Sequence, residues 1–234
     1  MTTEPIAIVA VDDHPVVVEG LRSALERRGF AFRWLGSART AAALHLLLDE
    51  AEQEPDLALV DLHLGDGSDS EDLIRTLTGR GIRCVVLTSE SRPVPLRRAV
   101  AAGAVGLILK SDPLEQIVSV LEQVDQAGLA TSSELAHALV TDEQVCARLA
   151  PRELEVLQLL ADGHTRRSIA RAFDPPLSES TVSTYVERVF QQYRLLGRTV
   201  RNTVEAVREA TADGYFGEPA RPVSVDPPTA EDPT

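Results

Sequence analysis

The sequence predicts an α/β domain with a parallel sheet, followed by a small all-helical domain. Over the first half of the chain, short apolar runs bounded by polar or glycine-rich segments alternate with stretches whose apolar residues recur at helical spacing. The apolar runs show no polar alternation, which is typical of parallel strands covered by helices on both faces. From about residue 149, only the helical spacing remains.

Five apolar runs are predicted to be the strands of this sheet. They are Ile6 to Val11, Phe32 to Leu35, Leu57 to Val60, Arg83 to Leu87 and Val105 to Leu109. The run at Leu57 lies between Pro55-Asp56 and a Gly-Asp-Gly segment, both of which favour turns. Its length and its boundaries are those of a short strand buried on both faces.

Helices are predicted between these strands from their apolar stripes. The first begins at His14-Pro15 and ends with an arginine pair before Gly29, which is a favourable charge at a helix C-terminus. The second covers residues 41–52. Inward stripes mark the other three at Leu73, Ile74 and Leu77, at Leu96, Ala99, Val100 and Ala102, and at Leu114, Ile117, Val118, Leu121 and Val124.

The chain after these helices divides into a linker, a helical domain and a tail. We assign residues 1–127 to the α/β domain, 128–148 to the linker, 149–214 to the helical domain and 215–234 to the tail. The linker carries a weak helical stripe at Leu135, Ala138, Leu139 and Val145, so we expect it to be partly helical. The tail is acidic and proline-rich, which predicts disorder.

The helical domain contains two short helices joined by a turn. A first helix begins near Pro151, and Thr165 can cap the next, over residues 164–173. A turn at residues 174–177 leads into an amphipathic helix at 178–190, and this arrangement fits a helix-turn-helix. A last helix is predicted from Leu195 to about Asp213. Its stripe at Val200, Val204 and Val207 could form a dimer contact or intramolecular core.

Polar side chains stand where four of the predicted strands end. They are Asp12, Asp13, Asp61, Thr88 and Lys110, the last being the only lysine of the chain. Each Asp alone could merely start a turn, but the carboxyl ends of parallel strands meet in the crevice where α/β proteins bind ligands. Three adjacent carboxylates repel one another, and an oxygen-only cluster open to water suits Mg²⁺. Lysine and threonine could neutralise and hydrogen-bond a phosphoryl group there.

The order Asp-Asp, Asp, Thr, Lys, with separations of 48, 27 and 22 residues, resembles that of the receiver domain of two-component response regulators. The resemblance covers residues 5 to about 127 and implies a doubly wound, five-stranded parallel sheet of the flavodoxin-like type. It implies that a sensor histidine kinase phosphorylates Asp61. It also implies that Asp12, Asp13 and Asp61 hold Mg²⁺ together with the backbone carbonyl of His63.

By the same resemblance, Thr88 is the switch hydroxyl and Lys110 is the partner of the acyl phosphate. Two departures from the family stand out. Leu107 occupies a position where the family often carries Tyr or Phe, whose rotation relays phosphorylation to the output surface. The loop after Asp61 reads Leu-Gly-Asp-Gly instead of the common Met-Pro, and its glycines still let the backbone fold around a metal.

Residues from 149 onward resemble the four-helix output domain of the NarL/FixJ branch of response regulators, also called the LuxR-type domain. The match is strong over residues 149–170 and at 178–182 and weakens after Phe190. It implies that a helix from about Glu179 to Tyr193 enters the major groove of double-stranded DNA. The residues implied to contact bases or phosphates are Ser183, Thr184, Glu187 and Arg188, and those implied to meet the DNA backbone are Thr165, Arg166 and Arg167.

The helical domain also departs from its family. Members usually carry Lys where Ser183 stands and often His where Tyr185 stands, and the turn with Pro175-Pro176 is two residues longer than usual. Residues 149–214 hold nine basic and nine acidic residues, so the domain is neutral, and Arg166 and Arg167 could form only a solvated face. One copy should therefore bind DNA weakly through phosphates, and we expect a homodimer on two half-sites.

Composition restricts the location of the protein. The chain has 234 residues and a net charge of −13, of which −7 falls on residues 1–124. No apolar run approaches the roughly 20 residues that span a bilayer, and no basic region precedes the first apolar run, so we expect a cytoplasmic protein without membrane contact. Cys84 and Cys146 are predicted to be core or surface residues and not a disulfide or metal pair.

These observations predict a DNA-binding transcriptional response regulator switched by phosphorylation of Asp61. It would be a regulator rather than an enzyme, although a receiver catalyses its own phosphoryl transfer and hydrolysis. An alternative, which Leu107 permits, is a regulator with the same fold whose DNA binding is independent of phosphorylation. A phosphatase of the haloacid dehalogenase type would need an Asp-x-Asp motif after the first strand, and Asp12-Asp13-His14 does not supply it.

Overall fold

The computed structural model describes residues 5–124, 129–142 and 146–216. A parallel sheet forms the N-terminal domain, in the strand order β2-β1-β3-β4-β5-β6. The strands are β1 (Ile6–Val11), β2 (Phe32–Ala38), β3 (Leu57–Val60), β4 (Arg83–Thr88), β5 (Gly106–Leu109) and β6 (Ala130–Thr131). The five predicted strands are confirmed, and β2 runs three residues further than predicted.

The sixth strand is an addition to the predicted sheet. β6 pairs in parallel with β5, with Ala130 opposite Gly106 and Thr131 opposite Leu107. Both residues of β6 lie in the segment assigned to the linker, so that segment contributes to the edge of the receiver sheet. A strand of two residues shows no periodicity, which is why the sequence pattern did not reveal it.

Helices cover both faces of the sheet. They are α1 (Pro15–Arg28), α2 (Ala41–Glu50), α3 (Ser70–Gly79), α4 (Pro93–Ala101), α5 (Leu114–Gln123) and α6 (Glu134–Thr141). Buried side chains of α1 and α5 pack on one face of the sheet, and those of α2, α3, α4 and α6 pack on the other. This is the doubly wound arrangement that the resemblance to receiver domains implied.

The C-terminal domain consists of four helices with their own core. They are α7 (Pro151–Ala161), α8 (Arg166–Ala172), α9 (Glu179–Leu195) and α10 (Thr203–Asp213). Helix α9 is central, because its buried Val182, Val186, Val189, Phe190 and Tyr193 pack against the other three helices. Side-chain oxygens cap two of the helices. Thr165 accepts from the Ser168 amide at 3.2 Å, as predicted, and Ser178 accepts from the Thr181 amide at 3.0 Å, a cap that was not predicted.

The predicted start of the last helix is wrong. Helix α9 continues to Leu195, the chain then turns at Gly197, and α10 begins only after Asn202, whose side chain accepts from the Glu205 amide at 2.9 Å. The predicted valine stripe is also divided, since Val200 is buried whereas Val204 is 79% exposed. Ala206 and Ala210 form the buried face of α10 instead.

The linker contacts the receiver domain at α4. Arg97 of α4 donates to the Leu139 carbonyl at 3.0 Å and to the Asp142 carbonyl, and its Nη1 lies 3.0 Å from the Cys146 sulfur. Cys146 and Cys84 are both buried free thiols, and burial raises the pKa of Cys84 to about 12. Within the described ranges, the helices are too short or too polar to cross a bilayer. Val145 of the linker stripe and residues 217–234 of the tail lie outside those ranges.

Candidate functional site

Four neighbouring strands bring the predicted polar residues together at one edge of the sheet. Lys110, just after β5, places its ammonium nitrogen 2.7 Å from Oδ2 of Asp61 and 2.7 Å from Oδ2 of Asp12. These carboxylates follow β3 and β1, which pair directly with each other. The sequence prediction that Asp12, Asp61 and Lys110 converge is therefore confirmed in the geometry of the chain.

Asp13 joins the cluster from the side. Its Oδ1 lies 2.7 Å from His14 Nδ1, and the His14 amide donates to Asp12 Oδ1 at 2.9 Å. Ligand atoms of Asp12, Asp13, His14 and Asp61 all lie within 4.8 Å of one another. Three of these four residues offer carboxylate oxygens, which are the ligands that Mg²⁺ prefers.

The carboxylates are held away from water. Asp12 is 2% exposed and Asp61 is 4% exposed, whereas the Asp13 side chain is partly open. Among the described residues, Oδ1 of Asp61 has no hydrogen-bond partner. A buried carboxylate oxygen left without a partner is costly, so this atom is placed to take a cation or a new bond. The donor set thus fits a divalent metal.

Burial and ion pairing act in opposite directions on Lys110. Burial disfavours its charged form, but hydrogen bonds to Asp12 and Asp61 outweigh burial and raise the pKa of Lys110. The ammonium therefore stays charged at neutral pH and offsets part of the negative charge of the two buried carboxylates. A second cation would offset the rest.

The glycine-rich turn after β3 closes beside Asp13. Gly65 has a φ of +63°, and a Cβ at that position would lie 2.9 Å from Asp13 Oδ2. Only glycine combines this conformation with so close an approach. His63, whose backbone carbonyl is the predicted metal ligand, belongs to the same turn, and its side chain points to the carboxylate of Glu90 at 3.5 Å.

Thr88 completes the predicted set from the end of β4. It is fully buried, and its hydroxyl oxygen accepts a hydrogen bond from the Glu90 amide at 3.1 Å. A cavity of about 410 Å³ opens over the cluster. Its lining residues are His14, Asp61, His63, Thr88, Ser89, Glu90, Arg92 and Lys110.

Four residues that line this cavity were not among the predicted site residues: His14, Ser89, Glu90 and Arg92. Glu90 is almost fully buried. Its carboxylate accepts hydrogen bonds from Arg92 Nε, at 2.9 and 3.0 Å, and from Arg92 Nη2, at 2.5 Å. Burial opposes ionisation of Glu90, but the bonds from Arg92 outweigh it and lower the pKa of the carboxyl. A Glu two residues beyond Thr88 was the available signal, because loops at strand ends carry function.

The predicted DNA-contacting residues lie on the outer surfaces of α8 and α9. Arg166, Arg167 and Arg188 are exposed, and within the described ranges none of the three has an ion-pair partner. The Arg188 guanidinium lies 5.9 Å from the centre of the Tyr185 ring. These three arginines are free to approach phosphates or bases.

The other four predicted residues are less free. The Thr165 hydroxyl caps α8, and the hydroxyls of Ser183 and Thr184 donate to carbonyls one turn earlier in α9, both at 3.0 Å. Glu187 pairs with Arg194 at 2.9 Å. Their polar groups are already satisfied within the protein, so a contact with DNA would require them to exchange or share these bonds.

Comparison with known proteins identifies the two domains. Residues 8–122 match the model of the response regulator receiver domain, and residues 147–210 match that of bacterial regulatory proteins of the luxR family. The BvgA transcription regulator of Bordetella pertussis is 30% identical over 194 residues, which cover 79% of this chain and 89% of BvgA. The chain belongs to the NarL/FixJ family of response regulators. It combines a receiver with a LuxR-type DNA-binding domain, and such proteins are transcription regulators rather than enzymes.

Another relative and a solved structure match over similar lengths. The nitrate/nitrite response regulator NarL of Escherichia coli is 28% identical over 205 residues, which cover 83% of this chain and 92% of NarL. A structure of RcsB from Salmonella enterica serovar Typhimurium bound to the rprA promoter with phosphomimetic BeF₃⁻ has a TM-score of 0.63 and 23% identity, with coverage of 88% of this chain and 98% of RcsB. That likeness confirms the fold.

Proposed function

We propose that this regulator accepts a phosphoryl group on Asp61 from a sensor histidine kinase, and that phosphorylation controls DNA binding by α8 and α9. One observation carries the proposal: Lys110 contacts Asp12 and Asp61 at 2.7 Å each, beside Asp13 and a buried, unpartnered oxygen of Asp61. Such a cluster is costly unless it binds a charged ligand. The protein would interact with both the sensor histidine kinase and DNA in the cytoplasm.

The residues at the edge of the sheet have separate roles in this transfer. A carboxylate oxygen of Asp61 would attack the phosphorus of a phosphohistidine, the bond from phosphorus to the imidazole nitrogen would break, and that nitrogen would keep the electron pair. Lys110 would neutralise a phosphoryl oxygen, and the Thr88 hydroxyl would donate to another. The product is an acyl phosphate on Asp61.

The metal site implied by the family fits these residues. Asp12, Asp13, Asp61 and the backbone carbonyl of His63 would hold Mg²⁺ in an oxygen shell completed by water. A bound Mg²⁺ neutralises charge on the transferring phosphoryl group. The Asp13 carboxylate is suited to exchange with water on the metal, because its side chain is partly exposed, while Asp12 and Asp61 are buried.

DNA binding would rest on the exposed arginines. Arg166 and Arg167 at the start of α8 would contact phosphates, and Arg188 with Ser183, Thr184 and Glu187 would face the major groove. Thr165 would contact the DNA backbone, because it lies at the N-terminus of α8. Three arginines supply few phosphate contacts, so we expect two copies to bind two half-sites.

The phosphorylation step is tested with acetyl phosphate and Mg²⁺ on the full chain. We expect the mass of one phosphoryl group on the peptide that contains Asp61, and none in the Asp61→Asn variant. Asp49→Asn, an exposed substitution on α2, is the control and should be phosphorylated normally. Phosphorylation that persists in Asp61→Asn, or that never occurs in the wild type, would contradict the proposal.

A second candidate function keeps DNA binding but makes it independent of phosphorylation. The observation in its favour is Leu107, which is buried in β5 between Val86 and Thr131, where the family often has an aromatic relay. This candidate predicts that Asp61 is phosphorylated without any change in DNA affinity. Measuring DNA affinity before and after phosphorylation separates the two functions.

A further inference from the structure

We propose that Arg92 connects the phosphorylation cavity to the C-terminal end of the DNA-binding domain. A phosphoryl group on Asp61 would thereby weaken the contact between that end and α4. The inference rests on the proposed phosphorylation of Asp61 and adds the route by which it reaches the second domain. Arg92 precedes the first residue of α4 and lines the same cavity as Asp61, Thr88 and Lys110.

Arg92 is fixed on the cavity side by Glu90. The guanidinium makes three hydrogen bonds to the Glu90 carboxylate, and the Arg92 amide donates to the same carboxylate at 2.8 Å. The Glu90 amide in turn donates to the Thr88 hydroxyl at 3.1 Å. A continuous set of hydrogen bonds therefore leads from the predicted switch hydroxyl to the start of α4.

On its other side, Arg92 contacts the end of the DNA-binding domain. Its Nη1 donates to the Phe216 carbonyl at 3.4 Å. Gly214, which ends α10 with a φ of +90°, packs so closely here that a Cβ would lie 2.6 Å from Pro95 Cδ and 3.0 Å from Arg92 Cβ. The absence of a side chain at Gly214 thus allows α10 to sit on the first turn of α4.

Hydrogen bonds link the residues on either side of Gly214 to the start of the DNA-binding domain. The Tyr215 hydroxyl donates to the Ala147 carbonyl at 2.6 Å and accepts from the Leu149 amide at 3.1 Å, and the Asp213 carboxylate accepts from the Ala147 amide at 3.2 Å. These bonds hold the first residues before α7 to the end of α10. If the end of α10 moved away from α4, the start and the end of the domain would therefore move together.

A phosphoryl group changes the charges that position Arg92. It adds up to two negative charges to a cavity that Arg92 lines, and it recruits the Thr88 hydroxyl to which the Glu90 amide is bonded. Attraction of the guanidinium toward the cavity draws it from the Phe216 carbonyl. Leu107 cannot relay this change as an aromatic ring would, whereas the Thr88, Glu90 and Arg92 chain reaches the second domain directly.

Coupling between two sites is reciprocal, which provides the test. Gly214→Ala should push the DNA-binding domain off α4 without substituting any residue that lines the cavity, and so should favour anion binding there. Gly163→Ala is the matched control, because Gly163 has nearly the same φ, +87°, and its Cβ would meet nothing within 4 Å. Both full-length variants carry the same backbone strain, and only Gly214→Ala adds a clash between the domains.

The probe is beryllium fluoride with Mg²⁺, followed by ¹⁹F NMR. We expect Gly214→Ala to bind it about fivefold more tightly than Gly163→Ala, the low end of usual coupling strengths. In the wild type, we expect the probe to speed amide hydrogen exchange in residues 211–216, a readout that needs no folded variant. Equal affinities of the two variants, or unchanged hydrogen exchange with the probe bound, would overturn this inference and leave the proposed function standing. Absence of bound probe from the wild type would overturn the proposed function as well.

Discussion

Lys110 illustrates how a single residue can make a buried acidic cluster tolerable. Its ammonium lies 2.7 Å from both Asp12 and Asp61, and these ion pairs raise the pKa of Lys110 despite burial. Removing one partner of a buried ion pair leaves an uncompensated charge, which is more costly than the net contribution of the intact pair. The resting state therefore depends on Lys110 before any phosphoryl group arrives.

Lys110→Met should destabilise the receiver by about 3–5 kcal/mol in the absence of metal, because it leaves two buried carboxylates without a cation. Mg²⁺ should restore part of the loss, since it binds only the folded cluster. Urea unfolding with and without Mg²⁺ measures both effects. Asp61→Asn combined with Lys110→Met should cost less than Lys110→Met alone. A loss below about 1 kcal/mol for Lys110→Met would contradict this electrostatic account.

Gly65→Ala should weaken Mg²⁺ binding, because its Cβ would displace the Asp13 carboxylate that lies 2.9 Å away. Gly67→Ala is the matched control: Gly67 is in the same turn, has a φ of +76°, and its Cβ would meet nothing within 4 Å. Both variants should lose about 1–2 kcal/mol from the left-handed backbone conformation. Calorimetric titration with Mg²⁺ distinguishes them, and equal affinities would show that Asp13 is not a metal ligand.

The residues of the receiver cluster could be predicted because each stands at the end of a buried strand or directly after it. Asp12, Asp61, Thr88 and Lys110 stand where apolar runs end, and parallel strands bring such positions to one edge. Arg92 could not be predicted in this way, since its contacts depend on the path of an irregular loop and on the placement of a second domain. The internal bonds of Ser183 and Thr184 were equally hidden, because residue type alone does not show which partner a hydroxyl chooses.

At the scale of elements, periodicity located the long segments and missed the short ones. The five main strands and the helices α1 to α5 follow from apolar patterns, whereas β6 has only two residues and α10 begins eight residues after its predicted start at Leu195. The capping residue Asn202 decides where α10 starts, because it satisfies an amide that would otherwise lack a partner. A local hydrogen bond thus outweighed a weak stripe.

Helix α8 carries a prediction about DNA. Arg167→Ala should weaken binding uniformly across sequences and reduce the slope of log K against log salt by about 0.9, the value for one lost phosphate contact. Arg75→Ala, which removes the same charge from the receiver helix α3, is the control and should leave the slope unchanged. Fluorescence anisotropy over a range of salt concentrations gives both slopes. An unchanged slope in Arg167→Ala would mean that this residue is only part of a solvated face.

At the scale of the molecule, charge and packing are divided between the domains. The receiver carries most of the negative charge, while residues 149–214 are neutral, so the helical domain is the part suited to approach a polyanion. The two domains are joined by more than a tether, since α6 packs on α4 and Arg97 reaches Cys146 just before the second domain. A change at the end of β4 therefore has a packed path to the DNA-binding domain.

The central claim is that phosphorylation of Asp61 changes DNA binding, and DNA affinity of the full chain before and after treatment with acetyl phosphate and Mg²⁺ tests it most directly. Mass spectrometry on the same samples should establish the phosphorylated fraction. We predict a change of at least about fivefold in the wild type, the low end of usual coupling strengths, and none in Asp61→Asn. An unchanged affinity with Asp61 fully phosphorylated would contradict the account.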